Sequence, residues 1–182
     1  RAMKGGRLVA VLLLLAGAAG AQPKGKRNAV SHKPFALASS GVVVQYERYL
    51  AERWSALAGL GARRAAREDF RSVTLSFVSE GRFWLSRRDW ASDYRGMAGP
   101  YLSVAADAAR TSVTYVPTDR DVGAAWRIQE SLRFGNRFVI WNLQEITPAA
   151  SLDVIHDIDE QGRLAPGTRT TLGLDFTVGW VF

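Results

Sequence analysis

From Thr170 to Phe182 the sequence alternates almost without error. Thr170, Leu172, Leu174, Phe176, Val178, Trp180 and Phe182 share one face of an extended chain, and Thr171, Gly173, Asp175, Thr177, Gly179 and Val181 share the other. Successive side chains of a strand point to opposite sides, so one face is apolar and rich in aromatics while the other is small or polar. A soluble sheet with one buried face carries the same signature. The head of the chain separates the two readings. Met3 is followed by Lys4 and Arg7, then by an apolar run from Leu8 to Ala19 and a small-x-small site at Ala19-Gly20-Ala21. That is the form of a secretory signal peptide cleaved before Gln22. The run is well short of the ~20 residues a spanning helix needs. Arg1 and Ala2 stand before the start methionine and read as an extension. An exported chain whose last strand is two-faced and ends on phenylalanine is expected to close an outer-membrane β-barrel, with lipid outside and a polar lumen inside.

Other stretches repeat the period of two. A weak strand is expected at Val30 to Ala38. A second sets Val42, Val44 and Tyr46 against Val43, Gln45 and Glu47. A third sets Trp54, Ala56, Ala58, Leu60 and Ala62 against Ser55, Leu57, Gly59, Gly61 and Arg63. A fourth puts Val73, Leu75, Phe77, Gly81, Phe83 and Leu85 outward, with Thr74, Ser76, Glu80 and Arg82 inward. The fifth starts at Gly99, with Leu102, Val104 and Ala106 against Tyr101, Ser103 and Asp107, and resumes at Thr111 to Val116 after an irregularity at Ala108 to Arg110. The sixth sets Val122, Ala124, Trp126, Ile128, Leu132 and Phe134 against Arg127, Gln129, Ser131 and Arg133. Tight turns are expected at Ala51 to Arg53 and at Gly135-Asn136. The seventh strand then starts at Arg137, with Val139, Trp141 and Leu143 outward. Its alternation slips near Glu145, and Pro148 predicts a bulge. The thirteen terminal residues are the eighth.

Eight is even, as bacterial single-chain barrels require. The reading is therefore all-β: an eight-stranded antiparallel transmembrane up-and-down β-barrel of OmpA/OmpX type over residues 34–182. A signal peptide (1–21) and a flexible periplasmic tail (22–33) precede it. With both termini periplasmic, Asp153 to Gly167 is the long extracellular stretch. Arg87 to Met97 is longer than a periplasmic turn should be. Trp54, Trp84, Trp90, Tyr94, Tyr101, Trp180 and Phe182 lie near strand ends, where interfacial aromatic girdles belong. A soluble lipocalin-like barrel has the same periodicity with the faces exchanged; the leader and the terminal phenylalanine favour the membrane form.

The chain resembles a family of short outer-membrane barrels catalogued as a domain of unknown function. The similar stretches are Val42 to Gly61 (VVVQYERYLAERWSALAGLG), Glu80 to Leu85 (EGRFWL), Met97 to Val104 (MAGPYLSV) and Val122 to Leu143 (VGAAWRIQESLRFGNRFVIWNL). In that family two hairpins carry a short basic turn, an aromatic and a small-residue strand, with an Arg-aromatic-Trp strand between them. This chain differs in Phe138, where the family has tryptophan, and in ending on Trp-Val-Phe. The resemblance implies fold and location and carries no catalytic residue with it.

Composition narrows the chemistry. There is no cysteine, hence no disulfide, thiol nucleophile or cysteine–metal site. The formal charge of +7 falls to +4 once Arg1, Lys4 and Arg7 leave with the leader. An exported chain without a basic patch interleaved with aromatics is not expected to bind nucleic acid. Glu47, Glu80, Arg82, Asp107, Arg127, Arg133 and Asp175 all take the inward phase. An eight-stranded lumen is just wide enough for side chains to fill, so these charges form either a salt-bridged plug or a narrow polar pore. Arg127 and Asp175 are the expected partners of Glu80 and Arg82. The segment Asp153 to Glu160 (DVIHDIDE) could hold a divalent cation through oxygens, but lacks the glycine of an EF-hand loop, and otherwise reads as a solvated acidic loop. Only His32 and His156 could serve as a base, and neither has a nucleophile at a telling spacing. No catalytic residue, metal or cofactor is therefore assigned. The expected role is structural or binding through extracellular loops, with an unidentified ligand at residues 153–167. The alternatives are a narrow pore or transporter for small solutes and an outer-membrane lipid-modifying enzyme. The expected partners are outer-membrane lipids and the barrel-assembly machinery, which would read Phe176, Trp180 and Phe182.

Overall fold

Two-faced strands with lipid-like residues on one side and polar residues on the other can bury the polar side by closing on themselves, and these do. The computed structural model describes residues 28–38, 40–51, 53–85, 98–140, 144–158 and 168–182. The leader, residues 22–27, Trp90, Tyr94, Trp141, Leu143 and residues 159–167 lie outside the described residues. Eight strands form one ring: β1 (Asn28–His32), β2 (Gly41–Ala51), β3 (Trp54–Arg67), β4 (Phe70–Trp84), β5 (Gly99–Tyr115), β6 (Arg120–Ile140), β7 (Gln144–Ile158) and β8 (Arg169–Val181). Each pairs antiparallel with the next, and β1 pairs with β8. A short helix, α1 (Pro34–Ala38), follows β1. Asn28 and Phe182 exchange backbone hydrogen bonds of 2.9 and 3.0 Å, which fixes the start of β1 and the end of β8 at one end of the ring, called the terminal end below. The hairpins β3–β4, β5–β6 and β7–β8 lie at the far end.

The faces are inverted relative to a soluble barrel. Among the described residues, 16 polar or charged side chains are buried against 8 hydrophobic ones. The large apolar side chains point outward, Leu174 being 92% and Leu172 86% exposed. The alternative with an apolar lumen is thereby excluded.

Six expectations need correction. The first strand ends at His32, and Pro34 to Ala38 is helix rather than strand. Asn28 to His32, expected in a flexible tail, pairs with both β2 and β8. Gly135-Asn136 is not a turn: β6 runs through it to Ile140, and β7 begins at Gln144. Asp153 to Ile158 consequently belongs to β7 and not to a loop. Gly135 is small because a Cβ there would lie 2.5 Å from the ring of Tyr101, its register partner on β5. Its role is clearance, not chain reversal. Pro148 makes no bulge. Pairing of β6 with β7 lapses between Gly135↔Ala149 and Phe138↔Ile146 and resumes in the same register, as expected where a residue has no N–H to give. The irregularity expected at Ala108 to Arg110 falls instead at Val113/Thr114, opposite Gly123, whose φ of 148° only glycine adopts readily.

The shortness of β1 leaves a seam. It pairs with β8 only from Val178 to Val181, so among the described residues no strand covers the β1 side of β8 from Arg169 to Thr177. Open sheet edges are not tolerated against hydrocarbon. Here α1 lies over the gap, with Phe35 packed 5.9 Å from Phe176. Beneath it Lys33 Nζ donates to Asp175 Oδ2 at 2.6 Å, and the Phe176 N–H donates to Asp175 Oδ1 at 2.9 Å. Asp175 therefore caps the edge that β1 does not reach. In Asp175→Ala the Phe176 amide should exchange with solvent roughly two- to twelvefold faster, the equivalent of one hydrogen bond, with Gly179 unchanged. Hydrogen exchange followed by NMR in micelles reads this directly, and equal protection in both proteins would show that the edge is held by other contacts.

Candidate functional site

The inward phases of five strands converge on one chain of alternating charge. Glu47 comes from β2, Glu80 and Arg82 from β4, Asp107 from β5, Arg133 and Arg137 from β6, and Glu145 from β7. Arg133 joins Asp107 Oδ2 (2.9 Å) to Glu80 Oε2 (2.9 Å). Arg82 joins Glu80 Oε1 (2.6 Å) to Glu47 Oε2 (2.7 Å). Arg137 donates to the same Glu47 oxygen through Nη2, and its Nε lies 2.9 Å from Glu145 Oε2. Arginine suits this arrangement because its planar fork serves two carboxylates at once and does not deprotonate. Every member except Asp107 is at most 5% exposed. Ions so far from water must be paired, because the desolvation of an isolated one is worth several kcal/mol.

Neutral donors complete the site. Ser55 Oγ donates to Glu47 Oε1 at 2.5 Å and accepts from Trp84 Nε1 at 2.9 Å. Arg137 Nε also reaches Thr147 Oγ1 at 3.3 Å. Trp84 and Tyr101 lie under the guanidinium groups, with Arg82 4.5 Å from the Tyr101 ring centroid and Arg137 5.2 Å from that of Trp84, within cation–π range. Toward the terminal end, Tyr49, Trp84, Tyr101, Ala29 and Val181 pack into an apolar cluster. Ring centroids there are 5.2 to 5.3 Å apart. Ions and aromatics together fill the cross-section at this end.

Of the residues expected in the lumen, Glu47, Glu80, Arg82, Asp107 and Arg133 join this network. Arg127 and Asp175 do not. Arg127 sits at the far rim, 52% exposed, and pairs with Asp157 at 2.8 Å, which also receives Arg169 at 3.0 Å. Asp175 is taken by Lys33 at the seam. The partners of Glu80 and Arg82 are Arg133 and Glu47 instead. Trp84 and Tyr101, expected in an interfacial girdle, are wholly inside, at 0% and 1% exposure. Trp84 shares the parity of Arg82, and Tyr101 that of Ser103; that signal outweighs closeness to a strand end. Arg137 and Glu145 were missed because the turn placed at Gly135 ended the phase that Arg127, Arg133 and Arg137 share.

The acidic segment of β7 is dispersed. Asp153 is buried in the lumen, His156 faces outward opposite Ile128 with Nδ1 3.3 Å from Thr168 Oγ1, and Asp157 holds the rim arginines. Asp159 and Glu160 lie outside the described residues. Among the described residues no group of three His, Asp or Glu side chains is placed to hold a metal ion. Gln45 Oε1, Ser103 Oγ, Asp107 Oδ1 and Asp153 Oδ1 are buried without a protein hydrogen-bond partner, the kind of atoms that ordered water serves.

No family model and no curated protein matches the chain; the resemblance to the short outer-membrane family therefore has no matching family model behind it. Among solved structures, the chain is similar to the N-terminal β-barrel domain of Pseudomonas aeruginosa OprF. Identity is 10%, the TM-score is 0.46, and 88% of this chain and 100% of that one are covered.

The network makes a testable distinction between partners. Glu80→Ala or Arg133→Ala alone should destabilise the barrel by about 3–5 kcal/mol, since each leaves a buried charge uncompensated. Replacing both by apolar residues of similar size should lose far less. The cycle of Glu80 with Arg127 should be additive within about 0.5 kcal/mol, as for separated sites. Urea unfolding read by the heat-modifiable gel band measures all three, and coupling to Arg127 would contradict the assignment.

Proposed function

We propose that this chain is an integral protein of the bacterial outer membrane whose lumen is a structural plug, acting through its far-end loops or as a membrane scaffold. One observation carries the reading: a closed ring with lipid-like chemistry outside and a paired ion network across the inside. The outward face is predominantly apolar from Trp54, Phe83, Phe134 and Trp180 at the terminal end to Leu75 and Ile128 toward the far end, with Glu130 an exposed carboxylate between Ile128 and Leu132. Water would not tolerate that surface, whereas a bilayer core requires it. The secretory leader supplies the route, and Phe176, Trp180 and Phe182 on the last strand are the residues the assembly machinery would read. Phe182 is anchored by its backbone pair with Asn28, Trp180 is exposed outward against His32, and Phe176 is covered by Phe35.

A narrow pore is disfavoured by the same geometry. A solute moving along the axis would have to part Arg82 from Glu47 and then pass the Tyr49–Trp84–Tyr101 cluster. Binding at the far end is the active role we assign; Asp153 to Ile158, expected in that binding stretch, is strand.

Fractionation tests the location. The mature chain should require detergent for extraction and run as a heat-modifiable band. Leu174→Arg should lower the yield of folded barrel, at a cost of about 2–4 kcal/mol for arginine in mid-bilayer; a chain soluble without detergent would falsify the membrane reading. In planar bilayers the purified protein should pass no steady current, and stable single-channel steps would overturn the plug.

A further inference from the structure

The arginines at the far end divide by the direction they face. Of those with inward phase, Arg127 and Arg169 reach Asp157, whereas Arg67 and Arg120, at the hairpin tips, form no ion pair with a described residue. Three others face outward: Arg64 in β3, in phase with Leu60 and Ala62; Arg71 in β4, in phase with Val73 and Leu75; and Arg110 in β5, in phase with Val104 and Ala106. All are exposed, and none forms an ion pair with any described residue. Register makes them neighbours. Arg64 opposes Val73, Arg71 opposes Ala66 and Thr114, and Arg110 opposes Leu75 and Trp126. The outward positions among them are Ala62, Ala66, Val73, Leu75, Ser112 and Thr114, with no carboxylate. The acids of this hairpin, Glu68 and Asp69, lie at its tip.

The patch begins where the outward apolar face ends. Leu60, Leu75 and Phe77 lie on its terminal side, and Trp126 stands beside Arg110, as aromatics do at a headgroup boundary. Arg64 and Arg110 are two strands apart, roughly 10 Å across the sheet, with Val73 and Leu75 between them. Two long side chains can close on one group over that distance while the β4 aliphatics meet a hydrocarbon tail. Guanidinium pairs bidentately with phosphate. Three outward guanidinium groups without a carboxylate among their register neighbours, set where the apolar face ends, are matched to an anion supplied from the bilayer.

We propose that Arg64, Arg71 and Arg110 form a binding site for the phosphate headgroup of a lipid in the surrounding leaflet. The proposal rests on the membrane reading above. Its probe is dioleoyl phosphatidic acid added to the full chain folded in non-ionic detergent, with binding counted by native mass spectrometry. The wild type should hold the lipid, and dioleoylglycerol, which lacks the phosphate, should bind at least tenfold more weakly. The triple variant Arg64→Gln/Arg71→Gln/Arg110→Gln should lose at least tenfold in affinity, while Arg48→Gln, outward at the terminal end, should stay within twofold of wild type. Millimolar inorganic phosphate should not displace the lipid; full displacement would mean a free-phosphate site and overturn the commitment to lipid. Equal binding by the triple variant, in a chain whose heat-modifiable band shows it folded, overturns the proposal and leaves the membrane reading intact. A wild-type chain that needs no detergent overturns the membrane reading itself.

Discussion

The carboxylate of Glu47 is the point on which the interior turns. One of its oxygens takes both Arg82 and Arg137, and the other takes Ser55. Without it two guanidinium groups would face each other in a space that water reaches poorly, and each would keep only a carboxylate on its outer side. The residues around it follow from that requirement. Ser55 must be small and a donor; Trp84 must present its N–H to Ser55 and its face to Arg137; Gly135 must lack a side chain so that Tyr101 can lie beneath Arg82. A ring of eight strands imposes this economy, because its lumen has room for side chains and little else.

The alternation that made the strands visible also specified which residues would meet inside. Glu47, Glu80, Arg82, Asp107 and Arg133 were readable as lumen residues from parity alone, since a period of two fixes the face once one residue is placed. Parity does not fix height. Arg127 and Asp175 share the inward phase but sit at levels where the barrel wall is taller on one side or unpaired on the other, so they meet Asp157 and Lys33 instead. Long β5 and β6 hairpins and a five-residue β1 produce that asymmetry, and nothing in local sequence announces it.

Where the sequence misleads, a local signal competes with the periodic one. Gly135-Asn136 has the chemistry of a tight turn, yet Arg127, Arg133 and Arg137 stay in phase through it. Reading the phase onward would have placed Arg137 in the lumen. Trp84 and Tyr101 have the composition of girdle residues and the parity of core residues, and parity prevailed. The first strand was weak in the sequence because only Ala29 and Ser31 face inward before Pro34 starts the helix.

The distribution of arginine unifies inside and outside. The guanidinium groups of the network, and Arg127 and Arg169 at the rim, are matched by carboxylates of the chain itself, whereas Arg64, Arg71 and Arg110 on the outward face are not. The central claim, a lumen closed by paired ions out of reach of water, is tested most directly by NMR exchange of the arginine Nε–H protons in micelles. Arg82, Arg133 and Arg137 should each give a sharp, slowly exchanging resonance, with Arg127 and Arg169 averaged and exchanging fast. Fast exchange at all five would show a wet lumen and contradict the account.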